Sequence, residues 1–400
     1  MADVYVLEAT ANSAVVGDMA WAVPEFPTPR VNAAGRAVAR YFAVENDNEI
    51  SEREVDEIPV HWAVVNNWRQ AHNFPLNTFQ MNLRNTATRI DGDNALIAQR
   101  IKRMVSIASK LVRFPTMNLT QMQDIGGCRA VVSSVDKVNE IVRHYRTKSR
   151  SKHRPGPVDD YITNPKASGY RGVHLMYRYQ SDVKKTEYNG LKIEIQIRSR
   201  FQHAWATAVE TVGLFTGHAL KSSVGDARWL RFFALMGTVI ARRENTPSIP
   251  GTPLRKKELV REVSQLAGQL DVVTRLNGYA NALKYMENDI EDAHWYLLQL
   301  NPSVGELVIS GFKKNEMQEA ERRYSEAELA GKARKTDAVL VAVDSLADLP
   351  RAYPNYYADT NVFLELLAQA RSGRMKRIGS TKVKAVEAQL SLPDTAPAGV

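Results

Sequence analysis

Residues 191–198, LKIEIQIR, alternate apolar and polar side chains without interruption. Leucine and isoleucine occupy one set of positions, and Lys192, Glu194, Gln196 and Arg198 occupy the other. A period of two places the two sets on opposite faces, so the segment predicts a β-strand with one buried face. Glu194 lies between two cations, which favour its ionised form and make the carboxylate available to a metal ion or a proton.

Further strands and helices are predicted on both sides of this segment. Residues 128–132 and 172–179 predict strands, and an Asn-Gly turn at 189–190 would join the second of them to residues 191–198. Residues 94–114, 135–145 and 200–215 carry apolar side chains at helical spacing and predict helices.

The clearest domain boundary is the proline-rich segment TPSIPGTP at 246–253. We expect an N-terminal helical extension over residues 1–74, in which a helix from about residue 60 ends before Pro75. A central domain would cover residues 75–245. A smaller C-terminal accessory module, α/β or helical and with a hairpin over 295–312, would cover residues 254–378. Residues 379–400 contain few large apolar side chains and predict a disordered tail.

The composition is typical of a globular protein with a basic charge balance. Hydrophobic residues make up 44% and charged residues 24% of the chain, and the net charge of +9 favours polyanionic partners such as nucleotides or RNA. No apolar run approaches the ~20 residues that span a bilayer, and the N-terminal MADVYVLEAT lacks a basic signal region. Cys128 is the single cysteine, which excludes an intramolecular disulfide and a cysteine-based zinc cluster. We expect a cytoplasmic protein with no membrane contact.

Two carboxylates are candidates for a metal site. Asp124 precedes a predicted strand in MQDIGGCRAVV, where Gly126 and Gly127 would let the backbone approach a ligand closely. Glu194 lies on the polar face of residues 191–198. Carboxylates on neighbouring strands could share Mg²⁺, which needs only one or two protein carboxylates in addition to substrate phosphates. An ordinary surface position is the alternative for either acid alone.

Basic residues supply candidate phosphate ligands. Lys102, Ser106 and Lys110 are spaced by four, so they would share one face of the predicted helix and could hold a triphosphate. The run RHYRTKSRSKHR at 143–154 contains six Lys and Arg residues and no acid. It could be a mobile phosphate clamp, and a solvated loop is the alternative.

An aromatic residue follows a glycine in the segment DYITNPKASGYRGVH. A tight turn at Gly169 could push the ring of Tyr170 outward, where it would offer a stacking platform for a nucleobase. A tyrosine in the core is the alternative. His174 lies near the start of the next strand, and alone it indicates no specific role.

Four segments in this order resemble the synthetase domain of the RelA/SpoT family, the alarmone synthetases: RIKRMVSIASK, DIGGCRAVV, DYITNPKASGYRGVHL and EIQIRSRFQHAW. The resemblance covers residues 100–217. It implies an α+β fold related to nucleotidyltransferases, with a mixed β-sheet flanked by helices. It also implies transfer of pyrophosphate from ATP to the 3′-hydroxyl of GDP or GTP, with Mg²⁺ as the cofactor.

The resemblance further implies roles for the matching positions. Asp124 would bind Mg²⁺, and Glu194 would bind the metal or activate the 3′-hydroxyl. Tyr170 would stack on guanine. The residues implied to bind ATP are Arg100, Lys102, Ser106, Lys110 and Arg129, and those implied to bind the acceptor are Lys166, Tyr170, His174 and Gln196.

Departures from the family pattern leave the acceptor open. Ser168 stands where the family often has Asn, and Ser199 and Thr207 replace a common Thr and an acid. The sequence has no His-Asp dipeptide, so the resemblance is to a monofunctional synthetase, for which a homo-oligomer is also expected. One alternative is a toxic relative that modifies the tRNA 3′ end or adenine nucleotides and needs an antitoxin. Another is an inactive module that binds nucleotides or RNA.

Overall fold

A computed structural model describes residues 21–43, 51–148, 151–216, 220, 225–282, 284–288, 293–334, 336–342, 349–357 and 359–374. The predicted disordered tail over residues 379–400 lies outside these ranges.

The described residues form one nine-stranded mixed sheet. Its strands are β1 (Leu96–Ile101), β2 (Gly126–Val132), β3 (Arg154–Asp160), β4 (Val173–Arg178), β5 (Lys192–Ser199), β6 (Lys284–Asn288), β7 (Trp295–Asn301), β8 (Glu306–Phe312) and β9 (Asp337–Ala342). They lie in the order β3-β4-β5-β2-β1-β9-β7-β8-β6. The pairs β2–β5 and β6–β8 are parallel, and the other neighbours are antiparallel.

Helices cover both faces of this sheet. The described helices are α1 (Thr28–Ala43), α2 (Glu52–Gln70), α3 (Asn73–Asp91), α4 (Met104–Arg113), α5 (Val135–Arg143), α6 (Arg200–Thr216), α7 (Ala227–Arg243), α8 (Lys256–Gln269), α9 (Val272–Ala282), α10 (Met317–Arg334), α11 (Leu349–Ala352) and α12 (Asn361–Arg371). This arrangement confirms the predicted α+β fold with a mixed sheet flanked by helices. None of the helices within the described ranges has both the length and the apolar character of a bilayer-spanning segment.

The strand predicted from LKIEIQIR is β5, and it is central to the sheet. Its apolar face, which includes Ile193 and Ile195, packs in one core with Leu76 and Phe79 of α3. Its polar face is also withdrawn from solvent, since Glu194 is 7% and Arg198 1% exposed. Buried charged groups need partners, so this face must contain an organised polar network.

The segment 94–114, predicted as one helix, is a strand followed by a helix. Strand β1 pairs with β2 on one side and with β9 on the other. Helix α4 begins only at Met104. Partners that lie far away in the sequence decide this conformation, and local apolar spacing does not reveal them.

The helix predicted from about residue 60 is the C-terminal part of α2, which does end before Pro75, at Gln70, and α3 follows it from Asn73. A capping box between Ser51 and Glu54 begins α2, which places its start well before residue 60. Pro75 lies in the first turn of α3, where a missing N–H leaves no helical hydrogen bond unmade.

The C-terminal strands extend the sheet of the central region. The predicted hairpin is formed by β7 and β8, and β9 joins it to β1. Strands from the predicted module over 254–378 and from the predicted domain over 75–245 therefore share one sheet. The boundaries of the predicted regions remain predictions.

Candidate active site

An open cleft of about 520 Å³ lies over the middle of the sheet. In the strand register, Arg100 of β1 is opposite Gly127 of β2, and Gly127 is opposite Glu194 of β5. Residues in register share a face, so Arg100 and Glu194 flank a position that has no side chain. The nearest atom to a Cβ built at Gly127 would be the Glu194 carbonyl oxygen at 3.9 Å, so this glycine leaves the cleft floor open.

Two lysines converge on Asp124 at one end of the cleft. Lys102 Nζ lies 2.7 Å from one carboxylate oxygen and Lys110 Nζ lies 2.9 Å from the other. Burial alone would raise the pKa of Asp124, but the two ammonium groups outweigh burial and hold that pKa well below its usual range. Burial lowers the pKa of Lys102, and Asp124 opposes this shift. The cluster combines two cations and one anion at the position predicted to bind phosphates and metal.

A directed chain of hydrogen bonds reaches Glu194 from the other side. Arg198 Nη2 donates to Tyr170 Oη over 2.6 Å, and Tyr170 Oη lies 2.5 Å from His174 Nε2. His174 Nδ1 lies 2.8 Å from Glu194 Oε1. Because the guanidinium can only donate, the phenol donates to Nε2, and Nδ1–H donates to the carboxylate. The chain therefore fixes both the tautomer of His174 and the orientation of Glu194.

Glu194 remains ionised although it is buried. Burial would raise its pKa, but the hydrogen bonds from His174 and from the Gln196 amide outweigh burial and lower it. Arg198 Nη2 also donates to Gln196 Oε1 over 2.8 Å, which fixes the orientation of that amide. The predicted residues Glu194, His174, Tyr170 and Gln196 thus form one network, and Arg198 is an additional member of it.

Arg100 and Arg129, both predicted to hold ATP, line the same cleft. Burial lowers the pKa of Arg129 to about 10, and Arg198 adds to the shift. Arg129 donates to the carbonyl of Ala352, and its guanidinium lies 5.7 Å from the centroid of the Tyr353 ring. Ser106 is half-buried on α4, one turn before Lys110, and is not among the residues that line the cleft.

Tyr170 occupies a different position from the exposed loop tip that the sequence predicts. It is 6% exposed and packs edge-on against Trp205, with ring centroids 6.2 Å apart. The preceding Gly169 has a φ of +96°, and a Cβ there would lie 2.7 Å from the Phe233 carbonyl oxygen. This close approach to α7 draws Tyr170 inward, so its hydroxyl contributes to the network instead of its ring facing solvent.

A half-buried aromatic ring lies beside the predicted acceptor residues. Lys166 is exposed, and its ammonium lies 4.1 Å from the ring centroid of Tyr161 and 5.8 Å from that of Tyr170. Tyr161 also packs edge-on against His174 at 5.3 Å. Tyr161 is therefore the more accessible aromatic face near the hydrogen-bonded chain. The sequence offered a signal for it, since it lies in the same DYITNPK segment as Lys166.

The cleft also contains a residue that no sequence pattern predicted to lie there. Tyr353 lines the cleft beside Arg129, and its hydroxyl donates to the Gln99 carbonyl over 2.6 Å. No local motif marks this contact, because more than two hundred residues separate its partners. The basic run over 143–154 is described except for residues 149–150, and within it Lys152 pairs with Asp182 at 2.7 Å on the surface.

Asp124 and Glu194 are the residues of this cleft that could hold a divalent cation. They line one cavity, and the charge of Asp124 acts on Glu194. Within the described ranges, no group of three or more His, Cys, Asp and Glu side chains could hold a metal ion by itself. Two carboxylates fit Mg²⁺, which prefers oxygen ligands and completes its coordination with waters and substrate phosphates.

Comparison with known proteins identifies the central part of the chain. Residues 99–212 match the family model described as "Region found in RelA / SpoT proteins". Residues 99–212 are thus similar to a RelA/SpoT region, which confirms the resemblance of the four motifs to that family.

Two curated relatives come from Bacillus subtilis (strain 168). GTP pyrophosphokinase YjbM is 34% identical over 113 residues, and GTP pyrophosphokinase YwaC is 32% identical over 114 residues. These matches cover 28% and 27% of this chain, and 52% of each relative. The chain therefore spans about half the length of the curated relatives it matches.

The solved structures that match part of the chain include two small alarmone synthetases from Bacillus subtilis. Synthetase 2 is 23% identical, with a TM-score of 0.35, and the match covers 42% of this chain and 86% of that one. Synthetase 1 bound to its product pppGpp is 20% identical, with a TM-score of 0.34, and the match covers 52% of this chain and 93% of that one.

Proposed function

We propose that this chain is an ATP-dependent pyrophosphokinase that makes (p)ppGpp by transferring pyrophosphate to the 3′-hydroxyl of GDP or GTP. The observation that carries the proposal is the single cleft lined by Lys102, Asp124 and the oriented Glu194, with Lys110 paired to the same Asp124. The RelA/SpoT region and the named activity of its curated relatives support the same reaction.

In this reaction the acceptor 3′-oxygen forms a bond to the β-phosphorus of ATP. The bond between that phosphorus and the α,β-bridging oxygen breaks, so AMP leaves and the hydroxyl loses its proton. No covalent intermediate with the protein is needed, and the protein contributes alignment and charge neutralisation.

Lys102 and Lys110 suit the phosphate side of this transfer. Both ammonium groups are partly buried against Asp124, which holds them in place before a nucleotide arrives. Arg100 and Arg129 add two further cations to the lining of the same cleft. Mg²⁺ bound by Asp124 and Glu194 would neutralise charge on the transferred phosphates.

Glu194 suits the removal of the acceptor proton. Its lowered pKa keeps it an acceptor near neutral pH, and the bond from His174 fixes the orientation of the carboxylate. Transfer of the proton to Glu194 would leave the hydroxyl oxygen free to attack. Tyr161 lies beside this network with Lys166 over its ring, and these two residues would place the guanine and its phosphates, whereas Tyr170 holds His174 through its hydroxyl.

The test is incubation of the full chain with γ-labelled ATP and Mg²⁺, together with GDP, GTP, adenine nucleotides or bulk tRNA in separate reactions. We expect label on the guanine nucleotides. Label on tRNA or adenine nucleotides alone would support the toxic-relative alternative and refute this acceptor assignment. Label on no acceptor, with a folded protein, would support a binding module and refute catalysis.

A further inference from the structure

Helix α4 begins between the two lysines that pair with Asp124. Lys102 lies just before Met104, the first residue of the helix, and Lys110 lies later in the same helix. The backbone N–H of Lys102 donates to the Ile125 carbonyl over 2.8 Å, which ties this lysine to the residue after Asp124. The position at which α4 begins therefore decides where Lys110 lies relative to Lys102.

The first N–H group of α4 is bound by a carboxylate from the C-terminal part of the chain. Met104 N donates to Glu328 Oε1 of α10 over 2.7 Å, and both residues are buried. The side chain of the N-cap residue, Arg103, makes no capping hydrogen bond. A carboxylate at a helix N-terminus satisfies an N–H group that has no partner within the helix, and it complements the positive end of the helix dipole. Glu328 thus supplies a cap from 224 residues away.

The Glu328 carboxylate is itself held in place. Its Oε1 also accepts from Tyr324 Oη over 2.9 Å, and its Oε2 lies 2.8 Å from Arg69 Nη1 of α2. The side chains of Arg69 and Glu328 are only 1% and 3% exposed. Because a buried, paired polar network is rigid, the oxygen that binds Met104 N has a fixed position.

A second contact from the C-terminal part reaches the residue before Met104. Arg103 donates to the carboxylate of Asp337 in β9, and Tyr356 Oη donates to the other oxygen of that carboxylate over 3.1 Å. Two C-terminal carboxylates therefore hold consecutive residues immediately after Lys102. The start of α4 is fixed by distant partners and not by a local cap.

We propose that Glu328 is a positioning residue for the phosphate-binding side of the cleft. Its bond to Met104 fixes the start of α4, and this sets the separation of the two lysines that pair with Asp124. Glu328 is not among the residues that line the cleft, so it acts on a nucleotide only through α4. This role rests on the proposed function, in which both lysines bind the phosphates of ATP. It gives α10, which lies outside residues 99–212, a part in ATP binding.

Two double variants separate this hydrogen bond from the charges of the buried pair. Arg69→Met with Glu328→Gln removes both charges and keeps an oxygen that can accept from Met104 N. Arg69→Met with Glu328→Met removes that oxygen as well. Isothermal titration calorimetry with Mg²⁺ and AMPCPP, an ATP analogue whose α,β-methylene group cannot be cleaved, measures binding without turnover. We expect a Kd about tenfold higher with Glu328→Met than with Glu328→Gln, which corresponds to about 1.4 kcal/mol.

Two controls distinguish positioning from a general loss of structure. The Kd for GDP should be the same in both double variants, because its proposed site is formed by β4, β5 and the loop before β4. Glu326→Met, the same substitution at an exposed position of α10, should leave AMPCPP binding unchanged. A rise in the Kd for GDP equal to that for AMPCPP would overturn the proposal. If the Glu328→Met pair does not unfold cooperatively in urea, Glu328→Asp decides. It keeps the charge beside Arg69 and withdraws the carboxylate from Met104, so a wild-type Kd for AMPCPP would overturn the proposal.

The remaining outcomes separate this role from the proposed reaction. Equal AMPCPP Kd values in the two double variants, with an active wild-type protein, would overturn the positioning role alone. The expected tenfold difference in a chain that transfers no pyrophosphate would support the positioning role and refute the reaction. A wild-type chain that binds no AMPCPP would overturn both.

Discussion

Replacing Glu194 by glutamine tests whether the carboxylate of Glu194 is the general base of the proposed reaction. The substitution keeps the size of the side chain and one oxygen that can accept a hydrogen bond from His174 Nδ1. In the wild-type protein this nitrogen lies 2.8 Å from the Glu194 carboxylate. It removes the negative charge and the ability to take up a proton. The Gln196 amide also loses its carboxylate acceptor, because it would face a second amide.

The expected loss follows from these two changes. General-base catalysis contributes about 10²–10⁴-fold, so we expect kcat to fall about 10³-fold, which is about 4 kcal/mol of transition-state stabilisation. The KM for ATP should change less than kcat, because Lys102 and Lys110 contact Asp124 and not Glu194, so the phosphate side loses only the proposed Mg²⁺ contact of Glu194.

The assay is the initial rate of pyrophosphate transfer to GDP, measured against pH. The lowered pKa of Glu194 predicts that wild-type activity persists on the acid side of neutrality and falls only as pH drops through that lowered value. Glu187→Gln, an exposed site outside the cleft, is the matched control and should retain activity. A Glu194→Gln enzyme with near wild-type kcat would show that Glu194 does not take the proton.

Two substitutions and one chemical modification test the lysine cluster at Asp124, the buried Arg69–Glu328 pair and the burial of Cys128. Lys110→Met should raise the KM for ATP at least as much as it lowers kcat, because it removes one of the two cations paired with Asp124 at the proposed phosphate end of the cleft; steady-state kinetics measures both. Arg69→Met should lower the free energy of unfolding in urea by about 3–5 kcal/mol, because it leaves the buried carboxylate of Glu328 without its cation. Cys128 should react with a thiol reagent only on unfolding, because it is fully buried and burial raises the pKa of its thiol.

Each of these three predictions has a control variant or a result that would contradict it. Arg113→Met, exposed at the end of the same helix as Lys110, should leave the KM for ATP unchanged. Arg322→Met removes an exposed cation of α10 and should change stability far less than Arg69→Met; equal losses would contradict the buried-pair argument. Rapid modification of Cys128 in the native protein would contradict its burial.

The sequence predicted β5 and much of its chemistry, because strict alternation is a local property. Ile193 and Ile195 are in the core, and Glu194 and Gln196 are together on the opposite face. The partners of that face could not be deduced from the alternation. Arg198 was predicted only as charge support, whereas it begins the hydrogen-bonded chain, because a loop and a neighbouring strand bring Tyr170 and His174 to it.

Lys102 and Lys110 do lie in one cluster, although the prediction that they share one helix was wrong. The sequence placed them on one face of a single helix, but Lys102 precedes α4 and only Lys110 is within it. What joins them is Asp124, to which each donates a hydrogen bond. The role of Tyr353 and the continuation of the sheet into β9 depend on contacts across most of the chain, which local patterns do not encode.

The most direct test of the central claim is identification of the reaction product by mass spectrometry. The full chain is incubated with ATP, Mg²⁺ and GDP, and the Glu194→Gln variant is treated in parallel. The proposed mechanism predicts a guanine nucleotide with a pyrophosphate on its 3′-hydroxyl, one AMP for each molecule formed, and almost none of either with the variant. AMP without a modified guanine nucleotide, or pyrophosphate on a different acceptor only, would contradict it.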